Sequence, residues 1–238
     1  MDAFPYPLAG AAEAEDAALR RLEDRCAENE THLILTGVPA DRAAALFSRY
    51  PRFHVLRESG GTFRVDVENE LYGLEAVPAL ATERLTLDAL TDADRAAYAA
   101  LCLDDTRNRL WGYDYREDWR GEPPEDYFLD TVRRDFAARV GISFAVRLRG
   151  VFIGEAVLYR FDGRGGAEQG CRIAPAFARH GYGIEAFAAV AEWGLRDLGL
   201  RHIAAKCFRE NRGSYRMLSS CMSLRAEDET YFYFDKEV

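Results

Sequence analysis

The most regular pattern of apolar and polar positions in this chain runs from residue 167 to residue 208. Within it, helical spacing separates the apolar residues Ile184, Phe187, Ala188, Ala191, Leu195 and Leu198. That spacing predicts a helix with one face for a sheet to cover, and Gly199 is typical of a helix C-terminus. Strand-like runs precede and follow the helix, at Ala167–Ala174 and Ile203–Phe208. The segment therefore predicts a strand, a loop, a helix and a second strand.

Further elements are predicted on either side of that unit. They are a strand at Arg84–Asp88, a helix at Asp92–Leu103 with Thr91 or Asp92 as N-cap, a helix at Asp126–Val140, a hairpin of Ile142–Leu148 and Val151–Phe161, a helix at Asn211–Cys221 and a strand at Tyr231–Phe234. Residues 104–124 form an irregular stretch rich in aromatic residues between the first two helices.

Residues 1–78 predict a separate, small α+β module of unknown role. Its elements are a helix at Ala11–Asn29, a strand at His32–Val38, a helix at Asp41–Tyr50 and strands at Phe53–Arg57 and Thr62–Glu68 around Gly60-Gly61. The alternation of these last two runs is typical of a hairpin. Pro78 and the alanine-rich residues 79–81 mark a boundary, so we expect a second domain over residues 82–238.

A loop with two glycines joins the strand at Ala167–Ala174 to the regular helix, reading Arg179-His180-Gly181-Tyr182-Gly183. Glycines that open a helix let backbone N–H groups converge on a phosphate, and the helix N-terminus favours anions. Arg179 adds a permanent positive charge. A plain tight turn is the alternative, since glycine pairs are common. The helix that follows favours a site for a phosphate-bearing ligand.

Two segments resemble the acyl-CoA-binding core of the GNAT superfamily of N-acyltransferases, in the style of bacterial ribosomal-protein N-terminal acetyltransferases. One joins Glu168-Gln169-Gly170-Cys171 to the glycine loop and to Glu185-Ala186. The other is Glu210-Asn211-Arg212-Gly213-Ser214, directly after the second strand. The resemblance covers residues 82–238. It implies an α/β fold of the α+β type, with a mixed, mostly antiparallel central sheet flanked by helices.

The resemblance also implies acetyl-CoA as co-substrate and no metal. It assigns the pantetheine arm to the backbone of the fourth strand and the pyrophosphate to the glycine loop. Asn211 would touch the cofactor or order the start of the last helix. The predicted cofactor-binding residues are Cys171, Arg172, Ile173, Arg179, His180, Gly181, Tyr182, Gly183, Ile184 and Asn211.

Two residues are predicted to take part in catalysis. Glu168 would be the general base, directly or through a water, and Ser214 would hydrogen-bond the thiol sulfur. A solvent-facing or paired carboxylate is the alternative for Glu168, and a structural role is favoured for Glu185. Tyr215 is an alternative acid for which aromatic packing is favoured. A covalent intermediate on Cys171 is less favoured than packing.

The chain departs from the superfamily pattern at three places. Ala178 stands where relatives carry Gln or Arg, and Cys221-Met222-Ser223 replaces a usual Gly-Phe pair. Leu218 stands where many relatives carry the tyrosine that protonates the leaving thiolate. These differences affect the acid role and the substrate wall more than the cofactor site. The aromatic stretch from Trp111 to Trp119 is predicted to wall the acceptor pocket, with a satellite core cluster as the alternative.

Composition narrows the class of partner. A formal net charge of −9 argues against broad binding of nucleic acid or anionic membrane. No apolar run approaches the ~20 residues that span a bilayer, and the N-terminus lacks the pattern of a secretory signal. The five cysteines are odd in number and form no C-x-x-C pair, which predicts reduced cytoplasmic thiols rather than disulfides or zinc.

These observations predict a cytoplasmic N-acetyltransferase that transfers acetyl directly from acetyl-CoA to a primary amine. The acceptor stays open between a protein N-terminus and a small amine. A catalytically inactive GNAT-fold protein that binds CoA or a partner is the alternative, which the departures favour. The sequence also leaves open whether the chain is a monomer or a homodimer.

Overall fold

The computed structural model describes residues 3–5, 32–49, 52–111, 115–117, 119–121, 123–124, 126–162 and 164–238. The predicted helix at Ala11–Asn29 lies outside the described residues. Two sheets organise the described chain, a small one that ends at residue 67 and a large one that begins at residue 80.

The small sheet consists of the first four strands, and one helix packs against it. The strands are β1 (Ala3–Pro5), β2 (His32–Thr36), β3 (Phe53–Ser59) and β4 (Thr62–Val67), and helix α1 (Ala40–Arg49) lies between β2 and β3. The strand order is β1-β2-β4-β3. Leu33, Leu35, Phe63 and Val65 share one face and pack with Leu46 of α1, because side chains two apart point the same way. Sequence patterns predicted these elements apart from β1.

The large sheet has eight strands in the order β11-β12-β10-β9-β8-β7-β6-β5. Their bounds are β5 (Leu80–Ala81), β6 (Leu85–Asp88), β7 (Gly141–Leu148), β8 (Val151–Tyr159), β9 (Gly166–Ile173), β10 (His202–Phe208), β11 (Ser223–Glu227) and β12 (Tyr231–Glu237). All neighbours are antiparallel except β9 and β10, which are parallel. The predicted mixed, mostly antiparallel sheet is confirmed, while the short strands β5 and β11 were missed.

Helices cover both faces of the large sheet. They are α2 (Arg95–Leu103), α3 (Asp105–Asn108), α4 (Tyr127–Ala137), α5 (Tyr182–Arg196) and α6 (Arg212–Cys221). The face under α5 buries Phe144, Phe187 and Ile203 in the main core. The opposite face carries a smaller cluster in which Tyr98 of α2 and Phe128 of α4 pack over the sheet. No helix in the described ranges is both long and apolar enough to cross a membrane.

Two helix boundaries differ from the predicted ones for local reasons. The helix predicted from Asp92 begins with a 3-10 turn at Asp92–Asp94. The Asp94 carboxylate accepts hydrogen bonds from the N–H and hydroxyl of Thr91, each at 2.8 Å. The helix predicted to reach Val140 ends at Ala137, because Arg139 takes a φ of 60°, which a helix cannot continue.

The segment between the two sheets packs against the larger one. Leu71 is fully buried in the main core, and Leu74 and Val77 pack on the same cluster. Leu80 of β5 pairs with Leu87 of β6. Apolar contacts therefore extend across Pro78, and the division into domains of residues 1–78 and 82–238 stays a prediction.

Gly154 brings β8 and β9 unusually close together. A Cβ atom at this position would collide with the carbonyl oxygen of Arg172 and lie 2.8 Å from the Cδ1 atom of Ile173. In register, Gly154 faces Ile173 at the end of the β8–β9 ladder. The absent side chain therefore lets the last residues of β9 lie tight against β8.

Replacing Gly154 with alanine is expected to lower the free energy of unfolding by about 1–3 kcal/mol, since the added methyl group meets backbone that cannot yield without moving a strand. Urea unfolding measures this change. Gly73→Ala is the control, because a Cβ atom there meets nothing within 4 Å. Equal unfolding midpoints for the Gly154→Ala variant and the parent would show that the close approach is unimportant.

Candidate active site

Strands β9 and β10 pair over three residues and then diverge. Gly166–Glu168 pair with His202–Ala204. Beyond that point β9 pairs only with β8 and β10 only with β12 within the described residues. The edge of β9 from residue 169 to residue 173 therefore faces the gap with its backbone groups unpaired. Backbone N–H and C=O groups in such a position need partners, so this edge can receive an extended ligand.

The loop at the start of α5 offers a second set of free backbone donors. The N–H groups of residues 179–184 donate to no acceptor in the part of the chain that the structure describes. Arg179 and Gly181 take positive φ values of 66° and 82°, which turn successive N–H groups inward, and Gly181 is the N-cap of the 15-residue helix. Such a concavity at a helix N-terminus binds anions.

Arg84 braces this loop from the start of β6. Its guanidinium donates to the His180 carbonyl oxygen at 3.0 Å and lies 4.8 Å from the centre of the Tyr182 ring. It also pairs with the Glu185 carboxylate at 2.6 Å, which accepts a further bond from the Thr82 hydroxyl at 2.5 Å. Burial raises the pKa of Glu185, but these bonds outweigh it and the pKa is lowered. These contacts favour the structural role that was predicted for Glu185 from its position, and that role stays a prediction.

A cavity of about 730 Å³ passes through the gap between the diverging strands. On the side of α5 and α6 it is lined by Cys171, Ser214 and Leu218. On the side of α2 and α4 it is lined by residues such as Trp111 and Tyr127. The lining residues therefore come from both faces of the large sheet, on either side of the gap.

On the α6 side, some residues line the cavity and others stabilise the helix beside it. The Asn211 carboxamide oxygen accepts from the Ser214 N–H at 3.1 Å and caps α6. Ser214 itself lines the cavity. Leu218 is buried, with 2% of its surface exposed. Tyr215 packs edge-on against Phe232, with ring centres 4.7 Å apart.

Cys171 lies on β9 facing α5. Its sulfur is 3.8 Å from the Gly183 carbonyl oxygen, which joins the strand to the loop. Burial and then the nearby Glu155 charge raise the pKa of the Cys171 thiol to about 12. The thiol is therefore protonated at neutral pH, which makes it a poor nucleophile.

Glu168 lies where β9 and β10 begin to separate, on the face toward α2 and α4. Its carboxylate accepts from the Arg160 guanidinium at 3.1 Å. Burial raises the pKa of the neighbouring Tyr159 hydroxyl, and a hydrogen bond to Glu168 adds to that effect. Glu168 is thus half-buried, lines the cavity and keeps two polar neighbours.

A buried ionic cluster under α2 was not predicted from the sequence. The Glu155 carboxylate accepts from Arg172 at 2.9 Å and from the Tyr98 hydroxyl at 2.7 Å. The Arg172 guanidinium also lies 4.5 Å from the Trp111 ring centre and 2.9 Å from the Cys102 sulfur. The available signal was one carboxylate among the apolar residues of β8 and an arginine near the end of β9, since charges are rarely buried unpaired.

The predicted site residues fall into two adjoining groups. Glu168, Cys171, Arg172 and Ser214 line the same cavity. The loop residues lie at the N-terminal end of α5. A Cβ atom added to Gly183 would lie 3.5 Å from the Cγ1 atom of Ile173. The exposed His180 ring stacks on Tyr182, with centres 5.7 Å apart. Among the described residues, no group of His, Cys, Asp or Glu is arranged to hold a metal ion.

Replacing Arg84 with alanine is expected to weaken CoA binding about 10-fold, because the loop loses charge-assisted bonds of ~1.5–3 kcal/mol each. Calorimetric titration with CoA measures the affinity. Arg196→Ala is the matched control, since Arg196 pairs only with Glu192 at the far end of the same helix among the described residues. Equal affinity in the two variants would show that the brace does not shape the loop.

Known proteins similar to this chain include N-acetyltransferases. The family described as "Acetyltransferase (GNAT) domain" matches residues 84–221. "Uncharacterized N-acetyltransferase YoaA" of Bacillus subtilis is 30% identical over 146 residues, which cover 59% of this chain and 80% of that protein.

Solved structures share the fold of the large sheet. A GNAT-family acetyltransferase from Bacillus anthracis has a TM-score of 0.57 and 21% identity, and the likeness covers 67% of this chain and 98% of that one. Mycobacterium smegmatis RimJ, solved in complex with CoA-disulfide, has a TM-score of 0.54 and 17% identity over 68% of this chain and 86% of that one. The family match spans the diverging strands, the loop and α6, so this chain belongs to the GNAT family of N-acetyltransferases.

Proposed function

We propose that this protein transfers an acetyl group from acetyl-CoA directly to a primary amine. The observation that carries the proposal is the unpaired edge of β9 at residues 169–173, which adjoins both the anion-binding loop and the cavity. An extended ligand can add to a strand edge through backbone hydrogen bonds. Phosphates at residues 179–184 and a pantetheine arm along β9 would match the two sets of free backbone groups.

The reaction places separate demands on the two sides of the cavity. The amine nitrogen must be neutral to form a bond to the acyl carbon while the carbon–sulfur bond breaks. An α-amine with a pKa near 8 is about a tenth neutral at pH 7, whereas a lysine amine near 10.4 is neutral about one time in two thousand. The acceptor side therefore needs a group that takes a proton, and the sulfur side needs a donor.

Glu168 fits the first demand. Its carboxylate lines the cavity at the point where β9 leaves β10, on the side of the aromatic stretch. An amine that enters from that side would reach Glu168 before it reaches the edge of β9. The carboxylate would accept the ammonium proton directly or through a water, and Arg160 would hold it in place at 3.1 Å.

Ser214 fits the second demand, because it lines the cavity on the side of α5 and α6. Its hydroxyl would donate a hydrogen bond to the departing sulfur. A strong acid is not essential there, since a free thiol has a pKa near 8.5 and its anion is only weakly basic at neutral pH. The leucine at position 218 therefore does not by itself abolish acetyl transfer.

A second candidate is a protein that binds CoA without catalysis. The observation that favours it is Leu218, whose buried aliphatic side chain offers no proton where relatives carry tyrosine. This candidate shares the cofactor site with the first and differs only in turnover. Binding and thiol release must therefore be measured separately.

Calorimetric titration with acetyl-CoA and CoA tests the shared cofactor site, and micromolar binding is expected. Gly181→Val should weaken it by at least ~1–3 kcal/mol, because a branched residue is strained at a φ of 82°. Gly60→Val is the control, since Gly60 also has a positive φ but lies in the turn between β3 and β4 of the small sheet. Absence of binding at millimolar ligand would overturn both candidates.

Glu168→Gln is expected to lower turnover about 10²-fold or more with CoA affinity unchanged, because the amide cannot accept the ammonium proton. Thiol release with an amine acceptor gives the rate, and the residual rate should rise with pH as the free amine deprotonates itself. Glu229→Gln, at an exposed turn, is the control. A turnover rate equal to that of the parent would show that Glu168 is not the general base and has a structural role instead.

A further inference from the structure

We infer that the acceptor side of the cavity contains a subsite for a second, positively charged group of the substrate, with Asp135 as its counter-ion. The inference rests on the proposed function and adds the substrate class: an amine that carries another basic group. It depends on where α4 places its side chains and on which of the cavity's charges are already paired.

Helix α4 forms one wall of the cavity. Phe128, Thr131, Val132 and Asp135 all line it, and their spacing of three and four residues sets them on one face of the helix. Asp135 is at the C-terminal end of this face and is half-buried. Asp135 is therefore a partly buried carboxylate residue in the wall of the cavity.

Three carboxylates line the cavity, and two of them are paired. Glu155 accepts from Arg172 and Tyr98, and Glu168 accepts from Arg160. Asp135 has no ion pair or side-chain hydrogen bond within the described residues. Burial raises the pKa of Asp135, Arg134 lowers it and Glu155 raises it further, so the net direction is upward. A cation placed beside Asp135 would stabilise the charged carboxylate and so lower its pKa again.

The charge of Arg134 acts on Asp135, but the two residues form no ion pair in the described part of the chain. Arg134 also lines the cavity, but it is exposed and its guanidinium donates to the Thr131 hydroxyl at 3.0 Å. The other cations of the lining are engaged elsewhere: Arg160 and Arg172 in ion pairs, and Lys206 5.2 Å from the centre of the Tyr231 ring. The carboxylate is thus available to a cation that enters with the substrate.

Aromatic rings complete the same compartment. Trp111, Tyr115 and Tyr127 line the cavity between α4 and β9. The faces of such rings attract cations by ~0.5–2 kcal/mol, more when the cation is desolvated. A carboxylate and aromatic rings together favour an ammonium or guanidinium group over a neutral one.

The reacting nitrogen cannot be the group that Asp135 holds. That nitrogen must be neutral beside β9 when it forms the new bond, whereas a nitrogen paired with Asp135 stays protonated. The substrate therefore needs two basic groups, as in a diamine or in a peptide N-terminus with a basic side chain. The shared chemistry is a neutral nucleophilic amine linked to a retained cation.

The test compares acceptors that differ by one charge. Thiol release from acetyl-CoA is measured with butylamine, 1,4-diaminobutane, the dipeptide Ala-Ala and the dipeptide Ala-Lys. The parent is expected to prefer the doubly basic member of a pair at least about 10-fold in kcat/KM, and the pair that shows the larger preference identifies the source. Asp135→Asn should remove that preference, because it lowers kcat/KM for the doubly basic acceptor more than for butylamine or Ala-Ala.

Asp130→Asn is the matched control, because Asp130 is an exposed carboxylate on the same helix that does not line the cavity. Calorimetric binding of 1,4-diaminobutane and Ala-Lys to the CoA-saturated protein gives a readout without turnover, and at least one should bind the parent more tightly than Asp135→Asn.

Each outcome decides between the inferences. Equal use of singly and doubly basic acceptors by the parent would overturn the subsite while the proposed function stands. An equal loss for both members of a pair in Asp135→Asn would also overturn it, since Asp135 would then be structural. If no acceptor releases thiol and neither basic ligand binds, the proposed transfer and the subsite both fail.

Discussion

The site depends on the divergence of β9 from β10 after residue 168. Backbone groups in a sheet are paired by neighbouring strands, and a strand edge left open beside a cavity must find its partners elsewhere. Here the opposite edge of β9 is held along its length by β8, and β10 is held by β12. The gap therefore follows from the strand order and pairing of the sheet, and an extended ligand could add to the open edge of β9.

The buried Glu155–Arg172 pair supports this arrangement from the face toward α2. Burial of two charges is costly unless each is well hydrogen-bonded, and removal of one partner leaves the other uncompensated. In this pair the Tyr98 hydroxyl donates a hydrogen bond to Glu155, and the Arg172 guanidinium lies over the Trp111 ring. The pair thereby ties the middle of β8 and β9 to α2 and holds Trp111 over Gly170, where an added Cβ would lie 2.8 Å from the Trp111 ring.

The two faces of the large sheet carry different kinds of chemical group. The face toward α5 carries the anion-binding loop, whose donors are backbone groups and so do not depend on side-chain identity. The face toward α2 and α4 carries carboxylates and aromatic rings, side chains whose contacts depend on the charge and shape of what they bind.

Local patterns predicted most of the fold and the loop at the start of α5. The period of α5, the glycines before it and the alternating runs of β7 to β10 act within a few residues, so the sequence alone predicted them. Strands β1 and β5 carry too few residues for a period to show, and β11 is exposed along its whole length, so it has no buried face to alternate with. Only the tertiary structure decided which distant groups meet, such as Arg84 with Glu185 across 101 residues or Glu155 with Arg172. Alternation tells which face a side chain takes, but strand order and helix packing determine the partner that it finds there.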